Sequence, residues 1–164
     1  SIQGCPDSKA LTAHQREVLY KEITEQAICY SVARASVAEI DQYNILQSTM
    51  MAMRRAVIAL KTQPDFVAVD GNRLPTWEYK AEAVVKGDGR VEVISAASII
   101  AKVVRDAEMV AFDAKYPGYG FAKNKGYGTA QHMEALKRLG ATPIHRRSFA
   151  PVSENLLPEQ QLLL

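Results

Sequence analysis

The stretch FVAVDGN (66–72) sets an acid directly behind an apolar run. Phe66, Val67, Ala68 and Val69 read as a strand set in a core, and Asp70, Gly71 and Asn72 turn the chain away. Ligand sites in open α/β sheets gather outside the carboxyl ends of strands, which gives Asp70 a functional reading. Asp-Gly is also a common turn pair, so a purely local role competes with it.

Working outward, Pro64 closes a long helix over about 37–61, in which Leu46, Met50, Met53, Val57 and Leu60 recur at helical spacing and read as core. Before it, ICYSVARA (28–35) is β-rich and predicts a strand. TAHQREVLYKEITEQA (12–27) predicts a helix, with Thr12 and Gln15 in capping-box spacing. After Asp70, AEAVVKG (81–87) predicts a second short strand. Residues 94–115 predict a helix stopped by Pro117, 118–128 a glycine-rich loop, and 129–139 a helix ending at Gly140. Strands alternating with helices predict an α/β domain. The short separation near 28–35 leaves room for some antiparallel pairing.

The chain has 164 residues, which makes one domain the default and leaves length enough for a sizeable core. Its net charge of +2 neither demands nor excludes a polyanionic partner, so local charge has to decide. Cys5 and Cys29 form no metal-type pair and no disulfide framework, which favours a reducing, cytoplasmic interior. No apolar run approaches the roughly 18 residues of a membrane span, and no leader is visible. The chain begins at Ser1 rather than Met, as a trimmed product or a segment would.

A second acid, Asp106, lies in ISAASIIAKVVRDAEM (94–109). At helical spacing Ser95, Ile99, Lys102 and Asp106 share one sector, while Ala96, Ala97 and Ala101 let the helix lie close to a neighbour. A solvated face with Asp106 beside Arg105 is the plainer alternative. Taken together, an acid from a strand end and one from a crossing helix suit a hard divalent cation. Two such ions would clamp the attacking and leaving oxygens of a phosphodiester, a task for about four carboxylates.

Basic and aromatic residues supply a candidate nucleic-acid surface. YGFAKNKGYG (119–128) interleaves Tyr119, Phe121 and Tyr127 with Lys123 and Lys125; IHRRSF (144–149) adds His145, Arg146, Arg147 and Phe149; VVKGDGR (84–90) adds Lys86 and Arg90. Any one cluster alone is equally compatible with a structural role. Other chemistries leave no trace: there is no Walker lysine pattern, no G-x-G-x-x-G, no G-x-S-x-G and no H-x-x-x-H. His14, His132 and His145 are scattered, as surface or packing histidines are.

The blocks DSKAL (7–11), DGN (70–72), VVKGD (84–88), ISAASIIAKVVRDAEM (94–109), YGFAKNKGYGTAQH (119–132) and GATPIHRRSF (140–149) occur in order, and the chain carrying them resembles bacterial ribonuclease HII. The resemblance covers roughly residues 4–152. It implies a ribonuclease H-like fold, with a mixed five-stranded sheet flanked by helices. It implies hydrolysis of RNA in RNA–DNA hybrids, incision on the 5′ side of single ribonucleotides embedded in duplex DNA, and Mn²⁺ or Mg²⁺ as cofactor. It assigns Asp70 and Asp106 as metal-holding catalytic carboxylates. Lys9 maps onto a phosphate contact and His145 onto a ring laid against the ribonucleotide sugar. Asn72, Ser95 and Lys102 join the basic and aromatic clusters as candidate nucleic-acid contacts.

The family's opening motif, D-E-x-G-R-G, has no counterpart in this sequence, where no two acids are adjacent and no G-R-G occurs. The expectation is therefore a catalytic domain over 1–152 that lacks its first strand or strands and two of its carboxylates, and that is inactive by itself. Ribonuclease HIII on the same fold, and a non-catalytic hybrid-binding module, are the competing readings. In the tail, 153–164, QQLLL (160–164) loosely resembles the peptides by which some replication proteins dock on the sliding clamp; a frayed apolar end is the alternative. No oligomer signal is visible, so a monomer is expected.

Overall fold

Thr12 starts the first helix as the spacing predicts. Its hydroxyl accepts the Gln15 backbone N–H at 3.2 Å, and the Gln15 side chain accepts the Thr12 N–H at 2.9 Å. This reciprocal pair satisfies donors that a helix start leaves without partners. The helix, α1, spans Ala13–Gln26. The computed structural model describes residues 10–161; Cys5, the D-S-K block with Lys9 and the last three leucines lie outside the described residues.

After α1 come α2 (Val37–Ile58), β1 (Val67–Asp70), β2 (Ala81–Val84), α3 (Glu92–Lys115), α4 (Phe121–Asn124), α5 (Ala130–Leu139), α6 (Ala150–Ser153) and α7 (Pro158–Gln161). The fold is α/β. Among the described residues the sheet is β1 and β2 alone, parallel, in a register from Val67↔Ala81 to Asp70↔Val84. It is narrower than the five-stranded sheet the resemblance implies.

The predicted strand at 28–35 is absent: the segment belongs to no ladder. Its composition suits a pleated surface, but a strand also needs a neighbour for its backbone groups. Ser31 instead donates its hydroxyl to the Ala56 carbonyl of α2. Helix α2 breaks at Asn44, whose φ of 74° is left-handed and whose side chain accepts the Gln47 N–H at 3.0 Å. The part after Asn44 therefore starts as a capped helix of its own. Its predicted core stripe is only half covered: Met50, Met53, Val57 and Leu60 are half-buried and Leu46 is exposed.

The chain forms two units. The first holds the described residues through Arg34 together with Thr49–Val104. Its core sets Ile23 of α1 against Ala96, Ile99 and Ile100 of α3. Burying one such isoleucine is worth roughly 1.5–3 kcal/mol. Of the three alanines expected to bring α3 close to a neighbour, only Ala96 is buried; Ala97 and Ala101 are exposed.

The second unit holds Ala35–Ser48 and the described residues from Arg105 onward. Met109, Tyr119, Phe121 and Ala135 form one cluster, and Leu136, Val152 and Leu156 another. The tail is pinned within this unit. Gln160 Oε1 accepts the Ala141 N–H at 3.1 Å while its amide nitrogen donates to the Ala141 carbonyl at 2.8 Å. No helix among the described residues is long and apolar enough to cross a membrane.

Candidate active site and nucleic-acid interface

Asp70 is the last residue of β1, where the ladder ends and Gly71 donates its N–H to the Val84 carbonyl at 3.0 Å. The parallel register brings the turn after β2 to the same end. There the Gly87 N–H donates to Asp70 Oδ1 at 2.8 Å. The carboxylate is thus exposed and held by a backbone donor. Position 87 is crowded: an added Cβ would lie 2.6 Å from Ile94 Cδ1 and 3.3 Å from Val84 Cβ, so the Ile94 side chain would have to shift. Lys86 precedes it in a left-handed conformation and, like Asn72 and Arg90, is exposed.

On α3 the sector of Ser95, Ile99, Lys102 and Asp106 faces inward, not to solvent. Ser95 and Ile99 are buried, Lys102 and Asp106 are half-buried, and Asp106 Oδ1 is itself buried. Ser95, at 1% exposure, is enclosed in the packing of α3 and is not presented to a nucleic acid. Asp70 belongs to the first unit and Asp106 to the second. Among the described residues, no three His, Cys, Asp or Glu side chains gather as a metal site.

The predicted glycine-rich loop contains the short helix α4 and is stitched from inside. Asn124 Nδ2 donates to the Tyr119 carbonyl at 2.7 Å, and Asn124 Oδ1 accepts the Gly126 N–H at 2.8 Å. Gly126 has a φ of 85°, and a Cβ there would meet Met109 Cε at 3.0 Å. The loop's outer side presents Lys123 and Tyr127, with Lys125 half-buried.

Behind this loop lies a feature that no sequence motif announces. His132 and His145 are buried, with their Nε2 atoms 2.9 Å apart. His132 Nδ1 lies 2.8 Å from the Tyr127 carbonyl. His145 Nδ1 accepts the Thr142 N–H at 2.9 Å and lies 2.8 Å from the Thr142 hydroxyl. Tyr119 and Phe121, stacked at 5.2 Å, flank both rings. Burial, and then the neighbouring His132, pull the His145 pKa from 6.5 down to about 4. The resemblance maps His145 onto a sugar contact; here its ring is enclosed and both its nitrogens are engaged, so it cannot reach a sugar from this position.

The HRRSF segment is held by a residue that sequence reasoning missed. Asp41 of α2 accepts the Arg147 N–H at 3.1 Å, the Ser148 N–H at 3.0 Å and the Ser148 hydroxyl. Burial raises the Asp41 pKa, but the Ser148 and Arg147 donors and the Arg146 charge outweigh it, so the net shift is downward. Asp41 lies more than a hundred positions upstream of these partners, and nothing in its local sequence marks it. Arg146 sits over the Phe149 ring at 4.6 Å. Arg147 donates to the Gln160 carbonyl at 3.0 Å, which ties its guanidinium to the tail.

A family model described as ribonuclease HII matches residues 2–152. Ribonuclease HII of Acidovorax sp. (strain JS42) is 60% identical over 155 residues, covering 94% of this chain and 74% of that protein. Ribonuclease HII of Paracidovorax citrulli (strain AAC00-1) is 60% identical over 152 residues, covering 93% of this chain and 63% of that protein. Among solved structures, the ribonuclease H2 from Pyrococcus horikoshii OT3 matches with a TM-score of 0.80 at 28% identity, over 92% of this chain and 79% of the other.

Proposed function

The chain belongs to the ribonuclease HII family, and from that membership we infer an endonuclease that hydrolyses the RNA strand of RNA–DNA hybrids. The observation that carries the reading is Asp70: a carboxylate at a strand end, exposed to solvent and held by the Gly87 N–H. A carboxylate fixed in this way can present oxygen to an ion without first being ordered.

Carboxylate oxygen is the donor that Mn²⁺ and Mg²⁺ take, so Asp70 and Asp106 fit the implied cofactor in kind. We assign both as metal ligands and catalytic residues, within a set of about four carboxylates. A bound divalent ion would supply Lewis-acid stabilisation of charge at the scissile phosphate. The chain's own contribution is to hold the acids and grip the duplex. Lys86, Asn72, Lys123, Lys125, Tyr127 and Arg146 are the contacts we assign to that grip, with Lys102 beside Asp106 on α3 and Lys9 ahead of α1. Arg147 serves the fold first, through Gln160.

The finer activity we propose is incision on the 5′ side of a single ribonucleotide in duplex DNA, leaving 3′-hydroxyl and 5′-phosphate ends. We read residues 1–152 as the catalytic body and 153–164 as a tail, in a cytoplasmic monomer. Clamp docking through QQLLL is the weaker reading of that tail, because the Gln160 amide is already bonded to Ala141.

The test uses an end-labelled RNA–DNA hybrid and a DNA duplex with one embedded ribonucleotide, with Mn²⁺ or Mg²⁺. The 164-residue polypeptide is compared with a form extended by the family's D-E-x-G-R-G segment. The extended form should cleave both substrates and the 164-residue form should cleave neither at a useful rate. An inactive extended form would overturn the assignment. Tight hybrid binding without cleavage in both forms would favour the binding-module reading.

A further inference from the structure

The bond directions around the two buried histidines can be deduced from partners whose roles are fixed. The Tyr127 carbonyl only accepts, so His132 Nδ1 carries a proton. The Thr142 N–H only donates, so His145 Nδ1 carries none. A neutral His145 then bears its proton on Nε2 and donates it to the bare Nε2 of His132. The chain of bonds runs one way, from Thr142 through both rings to Tyr127. Every ring nitrogen is used once both rings are neutral. A proton added to His132 would set two N–H groups against each other across 2.9 Å.

The end of this chain is the backbone of the loop that carries Lys123, Lys125 and Tyr127. The Tyr127 carbonyl also accepts the Thr129 N–H at 2.9 Å, and Thr129 caps α5 through the His132 N–H at 3.2 Å. The rings therefore tie the exposed Tyr127 to the start of α5 and to Thr142.

We propose that His132 and His145 act as positioning residues, a neutral two-ring latch that sets the backbone of the Tyr127 loop for duplex binding. This rests on the reading of that loop as a nucleic-acid contact. The packing around the latch supports neutrality. Its flanking groups are the Tyr119 and Phe121 rings, the Tyr119 hydroxyl donates to the Gly140 carbonyl at 2.8 Å, and Arg138 acts on Tyr119 as a positive charge. Burial and the facing His132 oppose a proton on His145.

Imidazole nitrogen NMR of the 164-residue chain near neutral pH should show His132 protonated at Nδ1 and His145 at Nε2. Opposite tautomers would overturn the latch. Substitution then tests positioning. In His132→Asn the amide nitrogen can take the place of Nδ1 and keep the Tyr127 bond; in His132→Gln the amide reaches the Nε2 position and keeps the His145 bond instead. Binding of an RNA–DNA hybrid, followed by fluorescence anisotropy without divalent metal, should weaken about tenfold in His132→Gln, the size of one lost hydrogen bond. It should weaken by less than about threefold in His132→Asn. Equal weakening in both would reduce the pair to packing and overturn the proposal. If the unsubstituted chain binds no hybrid, the nucleic-acid reading of the loop fails and the proposal falls with it, while the tautomers still report whether the bond chain exists.

Discussion

Asp70 and His145 are both ionisable side chains able to serve a metal or a proton transfer, yet the chain holds them in opposite ways. Asp70 is exposed and held by the Gly87 N–H. His145 is buried, with Thr142 on one nitrogen and His132 on the other. The difference lies in how much of each side chain's bonding capacity the fold has already used. An anchored acid in solvent is placed to meet something that arrives; an enclosed, bonded imidazole pair is placed to hold something already there.

The strongest challenge to that contrast is Asp70→Asn in the extended, cleaving form. Cleavage should fall on the order of a thousandfold, as when a principal electrostatic group leaves a site. Stability by urea denaturation should stay within about 0.5 kcal/mol. A large loss of stability would make Asp70 a structural residue and dissolve the comparison. Phe121→Ala, on the enclosed side, should cost about 3–5 kcal/mol in the same denaturation, because the ring is buried against Tyr119 and both histidines.

Acid sharpens the contrast next. In the unfolded chain His145 takes up a proton near its ordinary pKa of 6.5; in the folded chain it does so only near 4. Below 6.5 the unfolded state therefore binds more protons, and stability falls as pH drops from about 6.5 to about 4. At about 1.4 kcal/mol per pKa unit, the loss from this group is at most about 3.5 kcal/mol. His145→Phe should flatten that part of the pH–stability curve, and an unchanged slope would contradict it. The smallest effect belongs to Arg146→Ala, which should reduce the salt slope of hybrid binding by about one, the signature of one lost phosphate contact.

Much of the first unit was legible because its signals are local. The capping pair Thr12 and Gln15, the apolar run ending at Asp70 and the long α3 all occur where spacing places them. The segment at 28–35 misled because β-rich composition describes side chains, while a strand is made by a partner. The glycines of 118–128 concealed α4, a single turn held by the Asn124 bonds. The imidazole pair and the Asp41 cradle were invisible because both depend on how the chain packs: no motif spacing brings His132 to His145, and Asp41 meets Arg147 from 106 residues away. The second acid, Asp106, gained its weight from the family blocks, since its helical sector alone also fitted a solvated face.

Gly87 has a consequence for anyone who randomises this protein. With the Ile94 methyl and Val84 Cβ close by, a side chain at position 87 would have to displace its buried neighbour. A saturation library at that codon, selected for nuclease activity in the extended form, should be enriched in glycine. The codon would look catalytic in such a screen although the residue has no side chain to react.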